Sequence, residues 1–378
     1  MYKRIFYYLT ICILLFASSC GSSSTITTET GSADSVKNLA IGFIYIGSKD
    51  DYGYNQAHSE GAAALKNIPG VTVYEEENVP ETMDAQKTME SMINMDKSTL
   101  IFPTSFGYFD PHVLEMAKKN SDVTFLHCGG LYDKTKHPGN VGSYFGYIDE
   151  AVYLSGVVAA STSKTKKLGY IAAKPIPQVL RNINAFALGA QSVDPSVTVT
   201  VIFTGDWFLP VKEAEAANSL ADQGIDVITG HVDSPKVLIE TAEKRGIFSV
   251  GYHTDQTPLA PKGFLTGAMW NWPKVYTDFV TNYRAGKSLS GLHRGGLKEG
   301  VVMLAPYGPA VSEAAKTKAE AIKAEFMSEE GYSIFKGPLV SSTGKEILKE
   351  GEELKQQDPI LESMDYLVKG VNGSIPAL

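Results

Sequence analysis

The sequence predicts an α/β protein made of two doubly wound halves, and three observations support this class. Short apolar runs alternate with amphipathic runs from Leu39 onward. The apolar runs are continuous, as in parallel strands that are covered by helices on both faces. The pattern begins again near residue 168, after a long helical run at 149–161. Two sheets joined near residues 147–150 explain this restart better than one very wide sheet.

The individual strands and helices follow from the hydrophobic pattern. Strand-like apolar runs lie at 39–46, 70–75, 99–104, 123–127, 168–173, 197–203, 226–230 and 247–252. Helical runs lie at 57–66, 81–95, 111–119, 149–161, 179–191, 211–222 and 235–245. In the second of these helices, Ala85, Met89 and Met92 recur at the helical period and form one apolar face. Because ligands bind beyond the carboxyl ends of parallel strands, the residues that follow each strand are candidates for a site.

The N-terminal segment has the layout of a secretion signal followed by a tether. Lys3 and Arg4 precede the apolar run IFYYLTICILLF, and ASSC then places small residues before Cys20. A Ser/Thr/Gly-rich stretch follows, as in bacterial lipoproteins. We therefore expect residues 1–19 to be a signal peptide, Cys20 to be lipidated and residues 20–37 to be a flexible tether. The protein would then be anchored to a membrane of the bacterial cell envelope and face the periplasm or the exterior. The alternative is a secreted protein in which this cysteine is incidental.

The composition limits the classes of partner. Without residues 1–19 the chain has 378 − 19 = 359 residues, and loss of Lys3 and Arg4 changes its formal net charge from −8 to −10. This acidic balance argues against nucleic acid as a partner. Of the three cysteines only Cys128 would remain unmodified in the folded body, because one leaves with the signal and one is the lipid anchor. We therefore expect no internal disulfide.

Aromatic and polar side chains follow the predicted strands in both halves. The candidate ligand-binding residues are Asp51, Tyr54, Asn55, Phe106, Asp110, Trp207, Phe208, Asp233, Asp255, Trp270 and Asn271. Each has an ordinary alternative explanation: an aromatic ring can fill the core, and an Asp before Pro, such as Asp110 or Asp233, can cap a helix. Convergence at six strand ends indicates a cleft for a flat heteroaromatic ligand with polar edges.

The stretch SKDDYGYNQAHSEG, at 48–61, carries the most specific hypothesis. Tyr54 would be one wall of an aromatic clamp and Trp207 or Trp270 the other, with a flat base between them. Asp255, Asn55 and Asp110 would bond to the edge of the base. The alternative is that Tyr54 packs within its loop and that Asn55 only caps the following helix.

Catalytic and metal-binding motifs are absent from the sequence. It contains no GxxxxGK, GxSxG, HExxH or paired CxxC. His127, His231 and His253 follow strands but lack the spacing of metal ligands. We therefore expect a binding protein without catalytic residues, metal or cofactor.

Several motifs resemble those of the basic membrane protein family. They are D-x-x-Y-N after the first strand, EAVYLSGVVAA, KLGYIAAKPIP, GIDVITG and VGYHTDQ. Members of this family are lipoproteins that serve as substrate-binding components of ABC importers, several of them for purine nucleosides. The resemblance extends from Leu39 through the tail IFKGPL…GVNGSIP. The forms ENVPE, TSFGYFDP, PIPQVLRNINAF and DSPKVLIETAEKRG look closer to a branch that binds purine bases such as adenine.

The resemblance implies a fold and a set of partners. The fold is the type I periplasmic-binding-protein fold, with two Rossmann-like lobes and a three-strand hinge. Lobe 1 would contain residues 38–147 plus about 264–302, and lobe 2 would contain 148–263 plus about 303–378. The implied partners are a purine base or nucleoside, ABC permease and ATPase subunits, and the membrane that holds the lipid anchor. We expect the protein to be a monomer.

The resemblance also favours a base over a nucleoside. The nucleoside branch has matching aromatic, amide or acidic residues at Tyr54, Asn55, Trp207 or Phe208, Asp255 and near Asp110. It also has a ribose-contacting Lys just after the GFLTGAM strand, where this sequence reads Trp270 and Asn271. The expected function is therefore delivery of an adenine-like purine base. The alternatives are a purine-nucleoside-binding protein of the same family, a receptor or sensor without transport, and a nucleoside hydrolase.

Overall fold

The computed structural model of the chain describes residues 38–377. The expected signal peptide, Cys20 and tether lie outside these residues. The first part forms β1 (Leu39–Ile44), α1 (Tyr54–Leu65), β2 (Val71–Glu76), α2 (Met83–Asn94), β3 (Leu100–Pro103), α3 (Leu114–Lys119), β4 (Thr124–Cys128) and β5 (Val141–Gly146). Each of the four strands predicted here is present, and α1 begins three residues earlier than predicted. Tyr54 and Asn55 therefore lie in the first turn of α1.

The second part repeats the same alternation. It forms α4 (Asp149–Thr162), β6 (Lys167–Ala172), α5 (Pro177–Gln191), β7 (Thr198–Phe203), α6 (Pro210–Asp222), β8 (Val227–His231), α7 (Lys236–Arg245), β9 (Phe248–His253) and β10 (Phe264–Trp270). The remainder forms α8 (Trp272–Arg284), β11 (Gly291–Gly295), β12 (Val302–Leu304), α9 (Glu313–Met327), β13 (Phe335–Lys336), β14 (Leu339–Val340), β15 (Glu346–Leu348), β16 (Glu353–Leu354) and β17 (Val371–Asn372).

Two sheets define two lobes, which confirms the predicted α/β class. One sheet has the strand order β11-β5-β4-β3-β1-β2 and is parallel throughout. The other has the order β12-β10-β9-β8-β6-β7-β17, and only β12 is antiparallel to its neighbour. The chain passes between the sheets after β5, after β10 and after β11. Within the described residues no helix is long and apolar enough to cross a membrane.

One expected boundary needs correction. Residues from about 264 were assigned to lobe 1, but β10 pairs with β9 in the second sheet. Phe264 and Leu265 are fully buried there, because β10 is an interior strand between β9 and β12. The return to the first lobe begins only with α8, which packs against α1.

The tail after α9 folds back onto the second lobe. β17 extends the second sheet by pairing with β7, and the short pairs β13–β16 and β14–β15 lie before it. Asn184 of α5 accepts a hydrogen bond from the Val368 amide at 2.9 Å and donates to the Tyr366 carbonyl at 2.8 Å. These contacts fix the tail against α5, and Glu362 of the tail lines the site described next.

Candidate ligand-binding site

A cavity of about 360 Å³ lies at the carboxyl ends of the strands of both sheets. Its volume falls in the range of about 300–1,000 Å³ that is typical of small-molecule sites. Five of the predicted residues line it: Tyr54, Phe106, Trp207, Asp233 and Trp270. The first two come from the first lobe, whereas Trp207 and Asp233 follow strands of the second sheet and Trp270 ends one. The cavity is therefore built by both lobes.

Six predicted residues do not line this cavity, namely Asp51, Asn55, Asp110, Phe208, Asp255 and Asn271. Asp110 and Phe208 are exposed at the surface. The other four use their polar atoms to hold local backbone. Asp51 accepts from the amides of Gly53, Asn55 and Gln56 at 2.8–3.1 Å, which satisfies the first turn of α1.

The side chains of the remaining three also form hydrogen bonds with nearby protein groups. Asn55 is 2% exposed, accepts from the Gly47 amide and donates to Asp51. Asp255 accepts from the amide and hydroxyl of Thr257 at 2.9 and 2.6 Å. The side chain of Asn271 donates to the Gly300 carbonyl at 3.0 Å. The predicted edge-bonding roles of Asn55, Asp255 and Asp110 have no support in this arrangement.

The three aromatic candidates differ in how their faces are used. Trp270 stacks on Trp272 with centroids 4.8 Å apart, and its indole N–H donates to His253 Nδ1 at 2.9 Å. Trp207 is half-buried, and within residues 38–377 no ring stacks on it, its nearest aromatic neighbour being tilted at 6.0 Å. Tyr54 is also half-buried, and its hydroxyl donates to the Thr104 carbonyl at 2.6 Å. Trp207 therefore matches the second wall of a clamp better than Trp270.

Two neutral histidines, His231 and His253, also line the cavity. His253 Nδ1 accepts from an indole, which can only donate, so Nε2 carries the proton that is donated to the Val232 carbonyl at 3.1 Å. Burial lowers the pKa of His253 well below its ordinary value and that of His231 to about 3. The φ of His253 is +81°, an unusual value for a residue with a side chain. Both rings are therefore uncharged, and their nitrogens are already paired with protein groups.

The cavity contains one complete ion pair. Arg181, which is 5% exposed, donates from Nε to Asp149 at 2.9 Å and from a terminal nitrogen to the Gln356 carbonyl at 3.1 Å. Glu362 of the tail lies 3.5 Å from the same guanidinium. Asp149 also accepts from the Gln356 amide at 2.9 Å. The charges of this pair are satisfied by the protein itself.

Asp233, in contrast, has no side-chain hydrogen bond or ion pair to any described residue. Burial raises the pKa of its carboxyl well above the ordinary value, and the negative charges of Asp51 and Glu81 add to the effect. Asp233 is half-buried, and a carboxyl withdrawn from water without a protein donor is costly, so a ligand N–H that reaches it would be bound strongly. Asp233 is the acceptor that the cavity leaves open.

The two lobes touch directly beside the cavity. The Tyr54 amide donates to the Asp233 carbonyl at 2.8 Å, and Ser234 Oγ donates to the Asp51 carbonyl at 2.6 Å. A Cβ added at Gly53 would lie well inside contact distance of that Asp233 carbonyl. Gly53 is therefore the point at which the backbone of one lobe meets that of the other.

Several cavity residues were not predicted from the sequence, namely Glu81, Asp149, Arg181, Asn182, Tyr252 and Arg294. Arg181 and Asn182 lie in the motif PIPQVLRNINAF, which follows β6, and the strand-end rule could have found them. Arg294 lies within β11, whose sequence LHRG carries no apolar run that signals a strand.

Fold and cavity together define a two-lobed binding protein that encloses its ligand between parallel sheets. The family model for PnrA-like ABC transporter substrate-binding proteins, Bmp, matches residues 38–333. The chain belongs to this family, and the resemblance to basic membrane proteins is confirmed. Both the family and the fold are those of substrate-binding proteins.

Relatives and solved structures agree with this assignment. The chain is 38% identical to a purine-binding protein of Brucella abortus over 92% of this chain and 96% of that protein. It is 31% identical to a putative ABC transporter glucose-binding protein of Haloferax volcanii, over 93% and 85% respectively. A solute-binding protein of an ABC transporter system from Conexibacter woesei superposes with a TM-score of 0.65 at 21% identity, covering 78% of this chain and 98% of that one. The superposition supports the type I periplasmic-binding-protein fold.

Proposed function

We propose that this chain is the lipid-anchored component of an ABC importer that captures a purine base between its lobes and delivers it to a membrane permease. The unpartnered Asp233 carboxyl, in a cavity that also presents Tyr54 and Trp207, carries this proposal. A purine has two flat faces for stacking and N–H groups at its edge. The relative from Brucella abortus, named as purine-binding, supports the same class of ligand.

A base fits the site better than a nucleoside. The resemblance implies that the nucleoside branch has a ribose-contacting Lys at the place where this chain has Trp270 and Asn271. The indole of Trp270 donates to His253, and the amide of Asn271 donates to the Gly300 carbonyl. The indole has no donor left, and Asn271, which keeps one amide N–H, does not line the cavity, so neither side chain replaces the ammonium group of that Lys. A purine nucleoside is the second candidate, since it presents the same stacking faces.

Calorimetry on the purified chain tests this proposal. Any copurified molecule is first removed and identified by mass spectrometry. The protein is then titrated with adenine, hypoxanthine, adenosine and glucose. We expect the free bases to bind and to raise the melting temperature, as any ligand of the native state must. They should be recovered unchanged after incubation. Binding of glucose alone would overturn the purine proposal, and conversion of adenosine to base and sugar would favour the hydrolase.

The aromatic clamp is tested by replacing Tyr54 with Ala. Stacking on an aromatic side chain contributes about 1–3 kcal/mol per base, so Tyr54→Ala should weaken purine binding about 5- to 150-fold in calorimetry. The matched control is Tyr54→Phe, which keeps the ring and removes only the hydrogen bond to Thr104. If Tyr54→Ala lowers thermal stability but leaves the affinity unchanged, the ring is a packing residue and the clamp is wrong.

Membrane anchoring is tested by Cys20→Ala. Without a thiol at the expected cleavage point no lipid can be attached, and we expect the protein to move from the membrane fraction to the soluble fraction after cell breakage. Cys128→Ala is the control, because the single described cysteine is buried in the first lobe. Retention of the Cys20→Ala protein in the membrane fraction would contradict the lipoprotein assignment.

A further inference from the structure

Arg294 is a cation in the cavity that forms no salt bridge with any described residue, although the charge of Glu362 acts on it from beyond 4.0 Å. It lies on β11, opposite Phe145 of β5, and it lines the cavity in a half-buried position. Its guanidinium donates only to neutral oxygens of Gly130, Ser143 and His293, at 3.3–3.5 Å. No carboxylate among the described residues lies within 4.0 Å of it. Arg181 in the same cavity has both Asp149 and Glu362.

The environment of Arg294 disfavours its charge. Burial lowers its pKa from the ordinary value. Hydrogen bonds of 3.3–3.5 Å are beyond the usual N–H···O range of about 2.7–3.2 Å and are weak. A guanidinium has five N–H donors, so several of them remain available to an acceptor placed in the cavity. A ligand with such an acceptor would relieve the cost of burying this cation.

The unpaired cation and the unpaired carboxyl of the cavity belong to different lobes. Arg294 belongs to the first sheet, and Asp233 follows β8 of the second. They form no ion pair with each other. The cavity thus has a donor group on one lobe and an acceptor group on the other.

We propose that Arg294 is a specificity-determining residue that donates to a hydrogen-bond acceptor on one edge of the ligand while Asp233 accepts from an N–H group on another. The site then selects neutral heterocycles that carry an acceptor and a donor on separate edges. This inference rests on the proposed function, since a purine base has ring-nitrogen acceptors and N–H donors. Binding satisfies both charges and bridges both lobes with one molecule.

The test combines a protein variant with ligand analogues, as in a double-mutant cycle. The variant is Arg294→Met, which keeps the length of the side chain and removes its donors. The ligands are adenine and its 1-deaza, 3-deaza and 7-deaza analogues, each of which lacks one acceptor nitrogen. We expect Arg294→Met to weaken adenine binding by about 10- to 100-fold, as for a hydrogen bond to a charged group. The analogue that lacks the contacted nitrogen should bind wild type correspondingly weakly and be unaffected by the substitution.

Controls separate this role from a structural one. Arg284→Met, on the surface of α8, should leave the affinity unchanged. The ligand-free melting temperature of Arg294→Met should not fall, because a half-buried cation without a salt bridge has been removed. If the substitution weakens the binding of adenine and of all three analogues equally, or leaves adenine binding unchanged, the proposed role of Arg294 is wrong. The proposed function is not affected by that result. Failure of wild type to bind any purine base would instead overturn the proposed function.

Discussion

Replacing Gly53 with alanine should lower the affinity for purines about 5- to 150-fold while leaving each lobe folded. The added methyl group would overlap the Asp233 carbonyl, which belongs to the backbone of the opposite lobe. Overpacking of this kind costs about 1–3 kcal/mol, and here only the closed arrangement of the lobes suffers the overlap. Calorimetry gives the affinity, and solution scattering shows whether ligand still compacts the molecule.

Gly139→Ala is the matched control for this substitution, because a Cβ at Gly139 meets no atom within 4 Å. Its affinity and its scattering profile should equal those of wild type. The ligand-free melting temperature of Gly53→Ala should also be unchanged, since separated lobes have room for the methyl group. If Gly53→Ala binds purines as tightly as wild type and still becomes compact, direct contact of the lobes is not needed for binding.

Replacing Asp233 with asparagine should weaken purine binding about 10- to 100-fold and remove most of its pH dependence. Because the pKa of the carboxyl is raised by burial, it takes up a proton at a higher pH than an ordinary Asp does. A ligand N–H is bound by the ionised carboxyl, so the affinity should be greatest above this pKa and decrease as the pH falls through it. Calorimetry at several pH values between 5 and 9 measures both effects.

Asp222→Asn provides the control, because Asp222 is exposed on the same lobe, away from the cavity, and pairs with Arg245. It should retain both the affinity and the pH profile of wild type. A flat profile in wild type, together with full affinity in Asp233→Asn, would show that the ligand does not contact this carboxyl.

The strands and helices with strong periodicity could be predicted from the sequence. β1, β3, β4, β6, β8 and β9 are buried along most of their length, as in strands covered on both faces, whereas β2, at a sheet edge, and β7 are partly exposed. β5, with the sequence VGSYFG, and β11, with GLHRG, mix glycine and polar residues and give no such signal. Their places depend on pairing between distant segments, which no local pattern encodes.

The strand-end rule found the right edge of the sheets but could not separate ligand groups from helix caps. Asp51 and Asp233 both follow a strand and precede a helix. The carboxylate of Asp51 turns back to the amides of its own loop, whereas that of Asp233 remains unpartnered in the cavity. Whether such a carboxylate bonds to its own loop or faces the cavity depends on the position of the opposite lobe, which the sequence does not show. Arg294 was not predicted, because the lack of a salt bridge to its guanidinium can be seen only in the three-dimensional structure.

The direct contacts between the lobes also bear on how long a bound molecule stays. Besides the two bonds beside Gly53, Gln256 donates to the Tyr52 carbonyl at 2.6 Å and Thr254 donates to Glu60 at 3.1 Å. A trapped molecule can leave only after these bonds break, and each slows opening by about 2- to 10-fold if it contributes about 0.5–1.5 kcal/mol. The time that the ligand stays bound then depends on these hydrogen bonds between the lobes as well as on the ligand's own contacts. Rapid release of the ligand requires a partner that breaks these hydrogen bonds and separates the lobes.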